Sequence, residues 1–500
     1  MRGRKALLNS IFSLAEEFAA IIVAFILPRL ILSTFGSVYN GLITSITQFL
    51  QCAVLLRCGI GGATRAALYK PLAENNQAEI NSIIKATDNF MRKVGFLLGG
   101  LILLFACIYP AFVSNDFGWL FTFTLFIIIG ASTFAESLFG ITYMILLQAD
   151  QMLWVSSLLR IVCYILNLIV SVVLLKTGFS IHIVKLGSAF IYVIYPIVLR
   201  IIIKKKYNID SNVKPNNNAI AQRWDAFWHQ FSLFIMDNTD IIVLTVFSNM
   251  LEVSVYSVYN LVVMGVRRAV MAFSSGLEAA FGNMLAKNEN EAVKQNLSVV
   301  ETLMYILSTI VFTSSLILVT DFVRIYTVGI DDADYIRPAF AYIIISAQFF
   351  YCVRLPYQMV VQAAGKYKDT KYIAIIEPIL NIVISVTMVI KFGLIGVAIG
   401  TLVASLFKTI MFSNFMSQKI INRKQFVSWL KCLVFLGEGV ISIVIVRLLP
   451  FATSYNYGHW FVNAFFTVII CSSVVIIGSL LFFNNDSKLI IKKIGRVINK

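Results

Sequence analysis

The sequence predicts an all-α, polytopic membrane protein, and three observations predict it. The 500 residues are 59% apolar and only 13% charged, with a mean hydropathy of +0.84. A water-soluble chain of this size has no means of covering so much apolar surface. Apolar runs long enough to cross a bilayer follow one another along the whole chain, with short polar gaps between them. Lysine and arginine gather in every second gap, as they do in membrane loops on the cytoplasmic side.

Fourteen spans are expected, at 8–33, 38–62, 89–111, 117–147, 151–175, 181–203, 227–249, 253–280, 297–320, 336–362, 371–391, 394–417, 426–449 and 459–483. An even number places both termini on one side. The N-terminus, the even-numbered connections and the C-terminal tail hold 28 of the 41 basic residues, so both termini are expected to be cytoplasmic. The same rule accounts for the formal charge of +16, and no nucleic-acid partner is needed to explain it. The N-terminus shows no short apolar segment followed by a small-residue cleavage site, so the first apolar stretch is expected to remain as a helix. Seven cysteines lie in or beside apolar runs without a CxxC pair, which suggests neither disulfides nor a zinc site.

The longest polar gap, 204–226, is rich in Asn, Lys and Pro and has little to bury. We read 207–226 as a cytoplasmic linker between spans 1–6 (1–206) and spans 7–12 (227–420). An internal repeat supports the division. At an offset of 214, Tyr143 matches Tyr357, Gln148-Ala149 matches Gln362-Ala363, Ile165-Leu166-Asn167 matches Ile379-Leu380-Asn381, and Ser171-Val172 matches Ser385-Val386. Nearby offsets pair Leu72-Ala73 with Leu285-Ala286 and Ser37-Val38-Tyr39 with Ser254-Val255-Tyr256. Six spans return the chain to the same side, so two parallel six-helix lobes are expected. Spans 13 and 14 (421–485) fall outside the repeat. The tail, 486–500, is basic and amphipathic, suited to the cytoplasmic lipid surface or to plain inside-positive anchoring.

No phosphate-binding GxxxxGK[ST] loop, GxSxG, HExxH or Cys/His cluster is present, so the chain does not read as an enzyme or as a holder of metal or cofactor. The informative residues are charges at membrane depth, which are costly and face a bundle interior or a wet cavity. The cations are Arg57, Arg160, Arg267, Arg268, Arg354 and Lys408; the acids are Glu16, Glu17, Glu136, Asp237, Asp240, Glu278, Glu377 and Glu438. Both halves contribute, as a substrate path between two lobes requires. Internal pairing among these charges is the competing reading.

The eighth span concentrates the pattern. Tyr256, Asn260, Ser274 and Glu278 are spaced by sevens and elevens from Arg267, which puts each within about 20° of it on a continuous helix. Arg268 is 100° away and faces a neighbour instead. Arg57 lies about 180° round from Gln48, close enough to a span end to snorkel. Asp237 and Asp240 share a face of span 7 and suit a proton or sodium site, or a pairing with Arg267 or Arg268.

Three places resemble a known family. Phe35-Gly36-Ser37-Val38-Tyr39-Asn40-Gly41-Leu42 is similar to an LG-x-x-x-YG turn opening span 2, with Phe35 and Asn40 departing from it. Asp240-Ile241-Ile242-Val243-Leu244 followed by Val255-Tyr256-Ser257-Val258-Tyr259, and the linker after span 6, complete the likeness. The chain thereby resembles bacterial polysaccharide transporters of the multidrug/oligosaccharidyl-lipid/polysaccharide exporter superfamily, which also holds lipid II flippases and multidrug pumps. Spans 13 and 14 depart from its twelve-helix members. The resemblance implies an inner-membrane flippase that moves undecaprenyl-diphosphate-linked oligosaccharide to the outer leaflet for surface polysaccharide such as O-antigen, by alternating access. Arginines would hold the diphosphate, and Tyr256, Tyr259, Asn260, Gln48 and Gln51 would meet sugars. A proton or sodium gradient, or substrate flux, would drive it. A cation-coupled multidrug exporter is the alternative, and would favour an acidic, aromatic cavity. A membrane scaffold is a third class, disfavoured by so many buried charges.

Overall fold

Helices follow the apolar runs. The computed structural model describes residues 2–57, 60–113, 116–210, 212–217, 238–274, 277–287, 289–366, 368–449 and 456–498. Its first part comprises α1 (Arg2–Phe35), α2 (Ser37–Val54), α3 (Ile60–Ala73), α4 (Gln77–Ile108), α5 (Trp119–Ala135), α6 (Ile141–Ala149), α7 (Trp154–Lys176), α8 (Ile181–Lys206) and α9 (Asn238–Phe247). There follow α10 (Met250–Ala272), α11 (Leu277–Ala286), α12 (Asn290–Tyr326), α13 (Pro338–Ala363), α14 (Lys371–Phe392), α15 (Leu394–Phe415), α16 (Phe426–Leu448), α17 (Tyr457–Phe482) and α18 (Asn484–Ile498). A π-helical turn, Glu136–Gly140, joins α5 to α6, and another, Met416–Ile421, closes α15.

Among the described residues, 11 helices are long and apolar enough to cross a membrane. Large apolar side chains on them point outward: Phe96, Phe190 and Ile201 in the first part, and Ile390, Leu433 and Leu481 in the second, are all exposed. In a bilayer these faces meet lipid, so burial inside the protein falls to other residues.

Two expected spans prove to be divided. The second, 38–62, is helical only to Val54, then tightens into a 3-10 turn at Leu55–Arg57, and α3 begins at Ile60. The eighth, 253–280, ends at Ala272. Its last turn is closed by short-range bonds from the Phe273 and Ser274 amides to the Val270 and Met271 carbonyls, at 3.2 and 3.0 Å. Gly61 and Gly62 stand in the first turn of α3, just after the first break, and Ser274 lies at the second. Glycine and serine are poor helix interiors, because one has too much backbone freedom and the other bonds the backbone locally. Much of the expected span 227–249 lies outside the described residues, and α9 is its described part.

Chain contacts divide the molecule into two compact units, 1–254 and 255–500. The same local devices recur in each at the repeat offset. In unit 1, Ser171 donates to Asn167 at 3.4 Å, and Asn167 reaches across to the Tyr192 hydroxyl of α8 at 3.3 Å. In unit 2, Ser385 donates to Asn381 at 3.4 Å, and Asn381 reaches the Thr401 hydroxyl of α15 at 3.1 Å. The α7–α8 and α14–α15 turns carry Gly178 (φ 77) and Gly393 (φ 53). That left-handed backbone is open to glycine at little cost. The broken pairs correspond too: α3 ends at Ala73 and α11 at Ala286, the two matched Leu-Ala positions.

Candidate functional site

In unit 1 the polar face of α2 is spent on neighbours. Asn40 donates to the Ser254 hydroxyl at 2.9 Å, the Ser45 and Thr245 hydroxyls are 2.6 Å apart, and the Gln48 amide bonds Asn238. Gln48 is thus held by protein, whereas Gln51, one turn on, is exposed. Asp240 is buried on α9, and Asp237 lies outside the described residues.

Deeper in unit 1 four charges meet. The π turn after α5 carries Glu136 at its first position; such turns widen a helix and re-aim its side chains. Arg57, at the end of the 3-10 turn, donates to Glu136 at 3.0 Å and to Ser137 at 3.2 Å. So Arg57 does not snorkel; the early end of α2 brings it to a carboxylate. Arg160 on α7 donates to Glu16 at 3.3 Å and to the Tyr195 hydroxyl at 3.1 Å, and lies 3.6 Å from Glu136. Two cations and two acids therefore balance. Of the four, Glu136 and Arg160 line a cavity of about 200 Å³, together with Cys163, Tyr164, Tyr192, Tyr195, Ser132 and Thr133. Its walls offer phenol hydroxyls, one carboxylate and one guanidinium, a set suited to a hydroxylated or charged ligand rather than an apolar one.

In unit 2 the charges are packed tighter. Gln348, Tyr351 and Arg354 follow at intervals of three on α13, so they share one helix face. The guanidinium carbons of Arg267 (α10) and Arg354 lie 3.8 and 4.6 Å from the centre of the Tyr351 ring. Arg267 is 7% exposed and Arg354 1%. Arg267 also donates to the side-chain amide oxygen of Gln348 at 3.5 Å. Arg354 donates to Glu377 on α14 at 2.8 Å, and Lys408 on α15 bonds the other oxygen of that carboxylate. Cation–π stacking and the Glu377 carboxylate are what allow two guanidinium groups to lie against one half-buried ring.

The remaining expected residues separate. Tyr256 is buried, with its ring centre 5.8 Å from that of Phe340. Tyr259 is also buried: its hydroxyl donates to the Tyr335 carbonyl at 2.9 Å and accepts from the Arg337 amide at 3.1 Å. Asn260 is half-buried and Arg268 exposed. Glu278 stands on α11, beyond the break, so the expected stripe does not continue down one helix; its side chain lies outside the described residues. Tyr351, Gln348 and Tyr195 were not singled out in the sequence. The i, i+3 spacing of Gln348, Tyr351 and Arg354 was the signal that could have found two of them.

A third charged cluster in unit 2 joins α12, α16 and α18. Glu301 on α12 is fully buried. It accepts two bonds from Arg423, at 2.9 and 3.0 Å, and one from the Tyr357 hydroxyl at 2.7 Å. Lys431 on α16 lies 3.3 Å from Glu301 and 2.9 Å from Asp486 of α18. Asp486 also accepts from Ser298 and Thr302, at 2.7 and 2.9 Å. Burial works against its charge, but the Lys431 ammonium and these donors prevail and hold the carboxyl below the ordinary range. The tail helix is thus pinned to α12 and α16, with Ile490 buried and Ile491 exposed.

Residues 226–387 match the MatE family model. No curated protein sequence matches the chain. Among solved structures, the lipid II flippase MurJ in an inward closed conformation aligns with a TM-score of 0.70 at 14% identity, covering 95% of this chain and 99% of that one. An inward-facing multidrug resistance MATE transporter of the MOP superfamily aligns with a TM-score of 0.62 at 13% identity, over 82% and 95% of the two chains. The Vibrio cholerae MATE transporter VcmN aligns with a TM-score of 0.56 at 13% identity, over 85% and 99%. The chain is therefore a multi-pass membrane protein with the fold shared by the MurJ flippase and the MATE transporters, and its residues 226–387 match the MatE family model.

Proposed function

We propose that the chain is a flippase for undecaprenyl-diphosphate-linked oligosaccharide, working by alternating access in a bacterial inner membrane with both termini cytoplasmic. The observation that carries this reading is the stacking of Arg267 and Arg354 on Tyr351. A diphosphate offers two adjacent anionic groups, and a guanidinium fork can grip oxygens of each. The lipid tail would stay in the bilayer. The cavity beside Arg160, with its three tyrosines, would suit sugar hydroxyls. Asp240 with Asp237, or substrate flux, would couple the cycle to protons or sodium. Complementation of a flippase-deficient strain tests this: wild type should restore surface polysaccharide, and Arg267→Ala, expressed to the same level, should not.

One observation favours a cation-coupled multidrug exporter instead. The unit 1 cavity is aromatic and carries Glu136, as a cationic drug site would. Against it, Arg57 and Arg160 already neutralise that carboxylate. Drug-sensitive cells expressing the chain discriminate the two: resistance without polysaccharide rescue supports the exporter.

A further inference from the structure

Helices α16 and α17 lie outside the internal repeat, and neither reading of the transport site uses them. Midway along α16 stands Glu438, 4% exposed. Glu301 and Glu377 each hold two bases. Glu438 differs: neither of its carboxylate oxygens has a hydrogen-bond partner among the described residues. Its side chain runs against Gly478 of α17, where a Cβ would overlap the carboxylate. Glycine at that point is what makes room for it. The next residue, Gly439, packs on α12, which carries hydroxyls at Ser308, Thr309 and Thr313. A Cβ added to the adjacent Gly439 would lie 3.0 Å from the Thr313 hydroxyl. The buried hydroxyls of Ser308 and Thr309 also lack hydrogen-bond partners among the described residues.

Other charged and titratable groups on the packed helices are engaged elsewhere. On α12, Glu301 is bonded to Arg423, and Tyr305 meets the Tyr357 hydroxyl at 3.3 Å. On α16, Lys431 is bonded to Asp486, and Arg447 at the far end meets the α13 hydroxyl of Tyr342 at 3.4 Å. Also on α12, Lys294 pairs with Glu291 at 2.8 Å and Arg324 with Asp321 at 3.0 Å; Tyr326 (α12), Tyr457 and His459 (α17) lie at helix ends, and the thiols of Cys432 (α16) and Cys471 (α17) are buried.

An uncompensated carboxylate at this depth is among the costliest arrangements a membrane protein can hold. We propose that Glu438, with the α12 hydroxyls, is a binding site for a monovalent cation, a proton or a sodium ion. One negative charge and oxygen-only donors match that class, and not a soft or divalent metal. Gly478 is a shape requirement of the same site. The proposal stands independently of the transported substrate.

The test uses the purified full-length protein, comparing wild type with Glu438→Gln and Glu438→Asp. Thermal unfolding is followed across pH at fixed sodium, and across sodium at fixed pH with choline as replacement. Infrared spectra of wild type and variants are recorded alongside. A proton site predicts a wild-type pH dependence that Glu438→Gln lacks, and a protonated-carboxyl stretch present only with Glu438. A sodium site predicts a sodium dependence lost in Glu438→Gln, with no such band. In either case Glu438→Asp, which keeps the charge and shortens its reach, should move the midpoint by about tenfold in proton or sodium concentration; this serves if the Gln variant does not fold. Variants that share the wild-type pH and sodium dependence, without a carboxyl band assignable to Glu438, overturn the proposal.

Discussion

The two units share a repeat but use charge differently. In unit 1, Arg57 and Arg160 meet Glu16 and Glu136, two of which (Arg160 and Glu136) line a cavity, and the four side chains remain 18–30% exposed. In unit 2, Arg354, Lys408 and Glu377 are buried to 5% or less, locked around one carboxylate. A charge that keeps contact with a wet cavity is only partly desolvated, and its partner can be exchanged at modest cost. A charge sealed in the interior cannot be left alone without a large penalty. The unit 1 cluster is thus the one whose partners exchange more cheaply, and the Glu377 cluster holds Arg354 against Tyr351, the ring on which Arg267 also lies.

The largest effect should come from breaking the Glu377 cluster. Glu377→Ala leaves Arg354 and Lys408 buried without their carboxylate, a loss of about 3–5 kcal/mol. It should show as lost yield or a lowered melting temperature of the purified protein. A variant as stable as wild type would show that the interior of unit 2 is wet.

Arg267→Ala should do less to stability and more to function. Removing a charge-assisted phosphate contact costs about 1.5–3 kcal/mol, or one to two orders of magnitude in affinity for a diphosphate lipid. Arg267→Lys should keep part of it. Equal transport by wild type and Arg267→Ala would make the stack on Tyr351 a packing feature.

In unit 1, Glu136→Gln leaves Arg57 without its carboxylate and Arg160 paired with Glu16 alone, which makes the cavity wall more cationic. If that cavity meets an anionic or sugar head group, the variant should bind it at least as tightly as wild type. If it meets a cationic drug, binding should fall. Equilibrium binding of each class to the purified variant separates the outcomes.

The smallest effect concerns the tail. Asp486 has its carboxyl held low in the folded protein, so its contribution is present above the ordinary carboxylate range of ~3.9 and disappears as pH falls through the lower folded value. Protease access to α18 should therefore stay low at neutral pH and rise only in strong acid. Asp486→Asn should raise it at neutral pH. Unchanged cleavage in that variant would show that Ile490, and not the charge cluster, seats the helix.

The all-helical membrane fold was legible because hydropathy reports length and burial directly, and the repeat because both units reuse the same Asn, Ser and Gly devices. The two divided spans were harder. Gly61-Gly62 and Ser274-Ser275-Gly276 sit inside stretches apolar enough to read through, and the break at Ala272 is what takes Glu278 off the helix of Arg267. Arg57 was misplaced for the same reason: once α2 stops at Val54, its side chain is no longer where an ideal helix puts it. The buried charges could be named from the sequence, but not their partners. Glu377 is 23 residues from Arg354 and 31 from Lys408, and only packing of three helices brings them together. Tyr351 gave no signal of its own, since an aromatic residue on an apolar helix is ordinary until two guanidinium groups are found on its ring.

The central claim is that this stack in unit 2 recognises a diphosphate, and direct lipid binding tests it most closely. Purified wild type and Arg267→Ala are each titrated with undecaprenyl diphosphate, undecaprenyl monophosphate and a cationic drug, with bound species counted by native mass spectrometry. The account predicts that wild type prefers the diphosphate lipid over the monophosphate by about tenfold or more, and that Arg267→Ala loses the preference while remaining folded. Equal binding of the two lipids by wild type, with tight binding of the drug, would contradict it and make the exporter the better reading.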